Sequence, residues 1–149
     1  MNRRHFTLGS LGALMLARPA FATQGQLVVF KTPTCGCCSA WVEHMLRAGF
    51  AVDAQDVDHG ALAMQKARAG LTPELSSCHT AFIEEYFVEG HVPAGDVQRL
   101  LSERPDALGL TVPRMPIGSP GMEMGNQRDA YDTLLVFGDG TTSVFQSHS

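Results

Sequence analysis

The order of apolar and polar positions divides the chain into short alternating units. Gln26–Lys31 is a β-branched run closed by Thr32-Pro33-Thr34 and predicts a buried strand. From Cys37 to Ala48 the apolar residues Trp41, Val42, Met45 and Leu46 recur at helical spacing, and Gly49 supplies a stop. Cys37 and Cys38 therefore fall in the first turn of an amphipathic helix. Phe50–Val57 predicts a second strand, Ala61–Ala69 a second helix closed by Gly70, and Leu71–Ser77 a Pro-containing turn. Thr80–Glu84 and Tyr86–Glu89 are two short strands with almost no connection, hence antiparallel neighbours, and Pro93–Arg104 is a third helix with a proline at its start and another after its end. The order is β-α-β-α-β-β-α, an α/β fold class. An irregular segment dense in Gly, Pro and Met follows from Pro113 to Gly125. Thr133–Phe137, an Asp139-Gly140 turn and Thr141–Phe145 form a C-terminal β-hairpin.

The first 22 residues change how the chain is divided. Arg3-Arg4-His5-Phe6 precedes a mildly apolar stretch from Leu8 to Ala17, and Ala20-Phe21-Ala22 has the small-residue pattern of a signal-peptidase site. Residues 1–22 are expected to be a cleaved, twin-arginine-like signal peptide, and residues 23–149 the mature domain; Asn2 and Thr7 depart from the usual twin-arginine flanks, which leaves a general secretory signal open. The apolar stretch is about half of the roughly 20 residues a spanning helix needs, so the mature chain is expected to be periplasmic and free of membrane anchoring.

Composition and charge then narrow the function classes. The 149 residues are 44% hydrophobic and 17% charged, enough for one domain with a core and against whole-chain disorder. The net charge is -4; removing residues 1–22 takes away Arg3, Arg4 and Arg18 and no acidic residue, which moves it to -7. With no Lys/Arg-rich run, nucleic acid is not an expected partner. No hydrolase or phosphate-binding motif is present either.

Three of the four cysteines, Cys35, Cys37 and Cys38, fall within four consecutive positions and the fourth is Cys78. That crowding differs from a spread disulfide framework. Thiolates at a helix N-terminus are stabilised by the dipole and unpaired N–H groups, which suits both redox exchange and metal binding. A structural pairing is a third option; relaxed geometry would admit only Cys35–Cys38 with Cys37–Cys78. Zinc sites take cysteines as separated pairs, and iron–sulfur spacings do not match Cys-Gly-Cys-Cys. Crowded thiolates with thioether and imidazole nearby suit Cu(I), as one or several ions.

The element order with Cys35-Gly-Cys-Cys38 after the first strand resembles the thioredoxin and glutaredoxin fold over about residues 26–104. In that fold the motif cysteines lie beside the loops around the third and fourth strands, which would bring Cys78, His79 and His91 to the same end of the sheet. Where those families carry a cis-proline, this chain has Cys78-His79-Thr80. Thr34-Cys-Gly-Cys-Cys-Ser39 with Trp41-Val-Glu-His44, Ser77-Cys-His-Thr80, Glu89-Gly-His-Val-Pro93, Arg104-Pro-Asp-Ala-Leu-Gly-Leu110 and Met115-Pro-Ile-Gly-Ser-Pro-Gly-Met-Glu-Met124 together resemble the CopG-type copper-resistance proteins. That family comprises exported, thioredoxin-like, metal-binding proteins. The resemblance implies a Cys-bridged copper site on Cys35, Cys37, Cys38 and Cys78, a role in copper resistance, and exchange with other periplasmic copper-handling proteins. A thiol-disulfide or copper oxidoreductase is the alternative.

Supporting ligands are weighed residue by residue. His79 adjoins Cys78, although adjacent side chains of an extended segment point opposite ways. His91 follows a strand and is a supporting-ligand candidate. Met122 and Met124 could reach a soft ion or simply pack the loop. His44 lies two turns from Cys37, about 10 Å at roughly 1.5 Å per residue, and is expected to be solvated. His59 and the near-terminal His148 are expected to face water. Trp41, Phe50, Phe82 and Phe87 are expected in the core.

Overall fold

The computed structural model describes residues 25–149; the expected signal peptide lies outside the described residues. The elements are β1 (Leu27–Lys31), α1 (Gly36–Arg47), β2 (Val52–Asp56), α2 (His59–Arg68), a 3-10 turn (Pro73–Leu75), β3 (Thr80–Ile83), β4 (Tyr86–Gly90), α3 (Ala94–Glu103), β5 (Gly109–Val112), β6 (Tyr131–Val136) and β7 (Thr142–His148). The predicted β-α-β-α-β-β-α order is present, as is the C-terminal hairpin. The described residues form a mixed α/β fold, with three α-helices against a seven-stranded sheet of order β2-β1-β3-β4-β5-β6-β7.

Two parallel pairs, β1 with β2 and β4 with β5, are set among antiparallel ones. Each parallel pair is bridged by a helix, α1 and α3 respectively, because a parallel return needs a crossover. The strand β5 is absent from the sequence reading. It is four residues long, opens on Gly109 and lies between Pro105 and Pro113, so it carries too little pattern to be read as a strand. Pairing identifies it instead: all four residues are buried, and a Cβ at Gly109 would collide with the Phe87 carbonyl of β4. Through β5 the terminal hairpin becomes a continuation of the main sheet.

Alternation along the strands separates two packed faces. Leu27 and Val29 of β1, Ala81 and Ile83 of β3, Val88 of β4 and Leu110 and Val112 of β5 meet Trp41 and Met45 of α1 and Val97 and Leu100 of α3. On the other face Phe87 and Val136 pack with Ala69, beyond the end of α2, and with half-buried Phe82. Trp41 and Phe50 are buried as expected.

Two histidines depart from the sequence reading. His44 is half-buried, and its Nε2 accepts the Ala94 N–H at 3.0 Å. It satisfies a donor that α3 leaves open, since the N-cap residue is Pro93 and has no capping side chain. His148 belongs to β7; its Nε2 lies 2.9 Å from Asp96 Oδ2 on α3 and its ring stacks on Tyr131, with centroids 4.7 Å apart. His59 is exposed as expected.

Candidate metal centre

The site forms where the N-terminus of α1 meets the loops entering β3 and leaving β4. Cys35 is the N-cap of α1, and the helix starts with neither a side-chain cap nor an acidic residue in its first turn. Its open N–H groups and positive dipole end thus face the cysteines. Cys38 is fully buried, while Cys35, Cys37 and Cys78 are half-buried.

Cys35 and Cys38 form a disulfide, and Cys37 and Cys78 are free thiols. Cys37 Sγ lies 3.4 Å from Cys35 Sγ and 3.9 Å from Cys78 Sγ. The four sulfurs lie within 4.8 Å of one another, and so do the ligand atoms of a second group, Cys78 with His79 and His91. Cys78 belongs to both. Its Sγ is 3.3 Å from His79 Nδ1 and 3.1 Å from His91 Nε2. The opposed pointing expected for Cys78 and His79 fails because β3 begins only at Thr80, so the pair precedes the regular pleat.

Second contacts fix the rings. His91 Nδ1 lies 2.8 Å from the Pro120 carbonyl. It can only donate there, which leaves Nε2 as the bare nitrogen facing Cys78. The His79 ring lies 4.4 Å from the Trp41 ring, whose Nε1–H donates to the Val92 carbonyl at 2.8 Å. His79 is fully buried, and its Nε2 has no hydrogen-bond partner among the described residues. Burial drives His79 well below the ordinary imidazole range, with His91 and Lys66 adding to the effect, and it also lowers His91. Both shifts favour the neutral imidazole. Burial, followed by the neighbouring Cys37, pushes the Cys78 thiol up to about 12 in the metal-free state. A bound cation would reverse that preference by favouring the thiolate.

Of the sequence-predicted residues, Cys35, Cys37, Cys38, Cys78, His79 and His91 come together. In the irregular loop Met122 is half-buried and Met124 is 55% exposed, its backbone bridging to Gln127. That loop rests directly on the site: a Cβ on Gly121 would meet Cys37 O at 2.6 Å and His91 Nδ1 at 3.3 Å. Sequence reasoning missed the buried Glu89, which binds Lys66, Ser77 and Thr80 around the approach to Cys78. A charged residue at an inward position of a short strand was the available signal.

Four sulfurs within 4.8 Å of one another at a helix N-terminus, and two imidazoles grouped with the shared Cys78, define an α/β protein with side chains that could hold a metal ion. Two solved structures are similar to the chain: "Copper resistance protein copG- Form 2" at 40% identity and TM-score 0.78, covering 85% of this chain and 99% of that one, and "Copper resistance protein copG- Form 1" at 40% identity and TM-score 0.77, covering 84% and 98%. The chain belongs to the CopG family of copper resistance proteins. Residues 75–122 match the family described as protein of unknown function DUF411. Comparison with curated proteins gives no match. Among the described residues no helix is long and apolar enough to cross a membrane.

Proposed function

We propose that the mature protein is a periplasmic, thioredoxin-like copper-binding protein that holds Cu(I) in a cysteine-bridged thiolate site and so contributes to copper resistance. Residues 1–22 are its cleaved, twin-arginine-like signal, and residues 23–149 are the metal-binding domain. The observation that carries the reading is the convergence of Cys35, Cys37, Cys38 and Cys78 within 4.8 Å of one another. Thiolates so placed can each bridge two ions, and soft sulfur favours Cu(I) over harder cations. His79 and His91 complete the ligand set from the second group that shares Cys78, and Met122 and Met124 are the thioether candidates. Copper is cargo here, taken from and passed to other periplasmic copper-handling proteins. Full capacity requires a dithiol reductant to open the Cys35–Cys38 disulfide first, becoming a disulfide itself as it leaves two thiols here, because that bond occupies two of the four sulfurs.

The test is copper stoichiometry of the reduced mature protein loaded anaerobically with Cu(I) and challenged with a Cu(I) chelator. Retention against the chelator, largely lost in Cys78→Ser, is expected. Ready surrender of the metal by the wild-type protein would sink the reading.

A thiol-disulfide or copper oxidoreductase is the second reading, and the Cys35–Cys38 disulfide favours it, with half-buried Cys35 the accessible sulfur and buried Cys38 its partner. Insulin-reductase activity that survives Cys78→Ser, combined with weak copper retention, would select this alternative.

A further inference from the structure

Three consecutive residues at the end of β4, Glu89-Gly90-His91, all grip the segment that carries Cys78. Glu89 is fully buried on the face covered by α2. Its Oε1 accepts the Ser77 N–H at 2.6 Å and the Lys66 ammonium at 2.5 Å, and its Oε2 accepts the Thr80 hydroxyl at 2.6 Å. Lys66 also donates to Thr80 Oγ1 at 3.1 Å. One carboxylate thus holds residues on both sides of Cys78-His79. Gly90, with φ +73, lets that segment approach: a Cβ there would lie 2.5 Å from Ser77 Cβ and 2.7 Å from the Val112 carbonyl. Its N–H donates to the His79 carbonyl at 3.0 Å. His91 then meets the Cys78 sulfur itself at 3.1 Å.

A buried ion pair is weak evidence for stability, because desolvating two charges offsets much of their attraction. Its geometry therefore has to account for its presence. This pair spans α2 and β4 and takes as its remaining partners the backbone and hydroxyl that flank the distal cysteine. An apolar pair of similar volume would fill the same space but would leave the Ser77 N–H without that acceptor and the approach to Cys78 free to move.

We infer that Glu89, with Lys66 as its counter-ion, is a positioning residue that holds the Cys78 thiol against Cys37 before any metal arrives. The inference rests on the copper-site reading for its biological meaning, but the clamp itself is a property of the metal-free chain. Pre-organisation of this kind contributes to affinity by removing the ordering cost from the binding step.

The decisive measurement uses no copper. In the full mature chain carrying Cys35→Ser and Cys38→Ser, only Cys37 and Cys78 remain, and their effective concentration is read from the fraction of Cys37–Cys78 disulfide at equilibrium in glutathione redox buffers. Adding Lys66→Met with Glu89→Leu removes both charges of the pair together, the half-buried ammonium and the buried carboxylate, and leaves neither unpaired. The effective concentration is expected to fall at least about tenfold, equivalent to about 1.4 kcal/mol of lost positioning. Glu89→Gln keeps an acceptor for the Ser77 N–H and should lose less than about threefold, a rescue that general loosening would not produce. An effective concentration within about twofold of the parent in a folded double variant overturns the inference. Should the double variant fail to fold, Thr80→Val decides: it removes one arm of the clamp and keeps the β-branched shape, so a loss of about threefold supports the inference and an unchanged value overturns it. Cu(I) chelator competition with Lys66→Met/Glu89→Leu in the otherwise wild-type chain separates the two readings. Affinity falling toward that of Cys78→Ser joins them, whereas a thiol effect in a chain that never retains copper would refute the copper site and leave the clamp standing.

Discussion

Gly121→Ala makes the contact between the irregular loop and the site measurable. Gly121 has φ +88, and the added Cβ would lie 2.6 Å from Cys37 O, 2.8 Å from Trp41 N and 3.3 Å from His91 Nδ1. The first two atoms are acceptor and donor of one helical turn of α1, so neither can yield without opening the helix. The loop must move instead. Left-handed backbone costs a non-glycine residue about 1–2 kcal/mol, and overpacking a well-filled site costs about 1–3 kcal/mol. Together the substitution should cost about 2–5 kcal/mol in urea unfolding at fixed redox state. The same displacement draws the Pro120 carbonyl away from His91 Nδ1, so the His91 ring should lose its single tautomer in 15N NMR. Gly95→Ala is the control: it lies in α3, where nothing stands within 4 Å of the added Cβ. Gly95 is the second residue of α3, and replacing it by Ala should stabilise by up to about 0.4–1 kcal/mol, chiefly by restricting the unfolded chain. A Gly121→Ala protein within about 0.5 kcal/mol of wild type, with the His91 tautomer intact, would refute the reasoning.

Three further outcomes follow from the same geometry. His44→Ala strips the acceptor from the Ala94 N–H and should cost about 1–3 kcal/mol in urea unfolding while leaving copper stoichiometry unchanged; a fall in stoichiometry would make His44 a ligand instead. Asp58 caps α2 by accepting the Ala61 N–H at 2.8 Å. Asp58→Ala should lower stability by about 1 kcal/mol, and an unchanged urea midpoint would refute the cap. The buried His79 and His91 both lie below the ordinary imidazole value, so the unfolded chain takes up their protons first as pH falls. Stability should be complete above about pH 6.5 and decline below it, by up to about 1.4 kcal/mol per pH unit for each histidine, until the folded-state values are passed. A urea midpoint of the metal-free protein that is flat between pH 7 and pH 5 would contradict this burial.

The sequence was most legible where a pattern repeats locally. The helix carrying Cys37 and Cys38 could be read because Trp41 and Met45 mark its inner face, and both are buried. The hairpin was readable from its Asp139-Gly140 turn. β5 was not, because four residues next to a proline form a strand only when β4 and β6 are present to pair with them. The site divides in the same way. Cys35, Cys37 and Cys38 were visible as a cluster, while their meeting with Cys78 and His91 could be expected only through a resemblance of fold. His44 and His148 were misread because their partners, Ala94 and Asp96, lie 50 and 52 residues away in sequence. No local spacing encodes such a contact.

The packing of Trp41 on His79 has an optical consequence. It is the chain's one tryptophan, fully buried, with its ring 4.4 Å from that imidazole. The indole emission therefore comes entirely from a fluorophore touching a residue of the cluster, with no second tryptophan to dilute it. Disulfide reduction, ligand capture and movement of the Cys78 segment should each alter its intensity, giving the unlabelled protein a built-in readout of the state of its site.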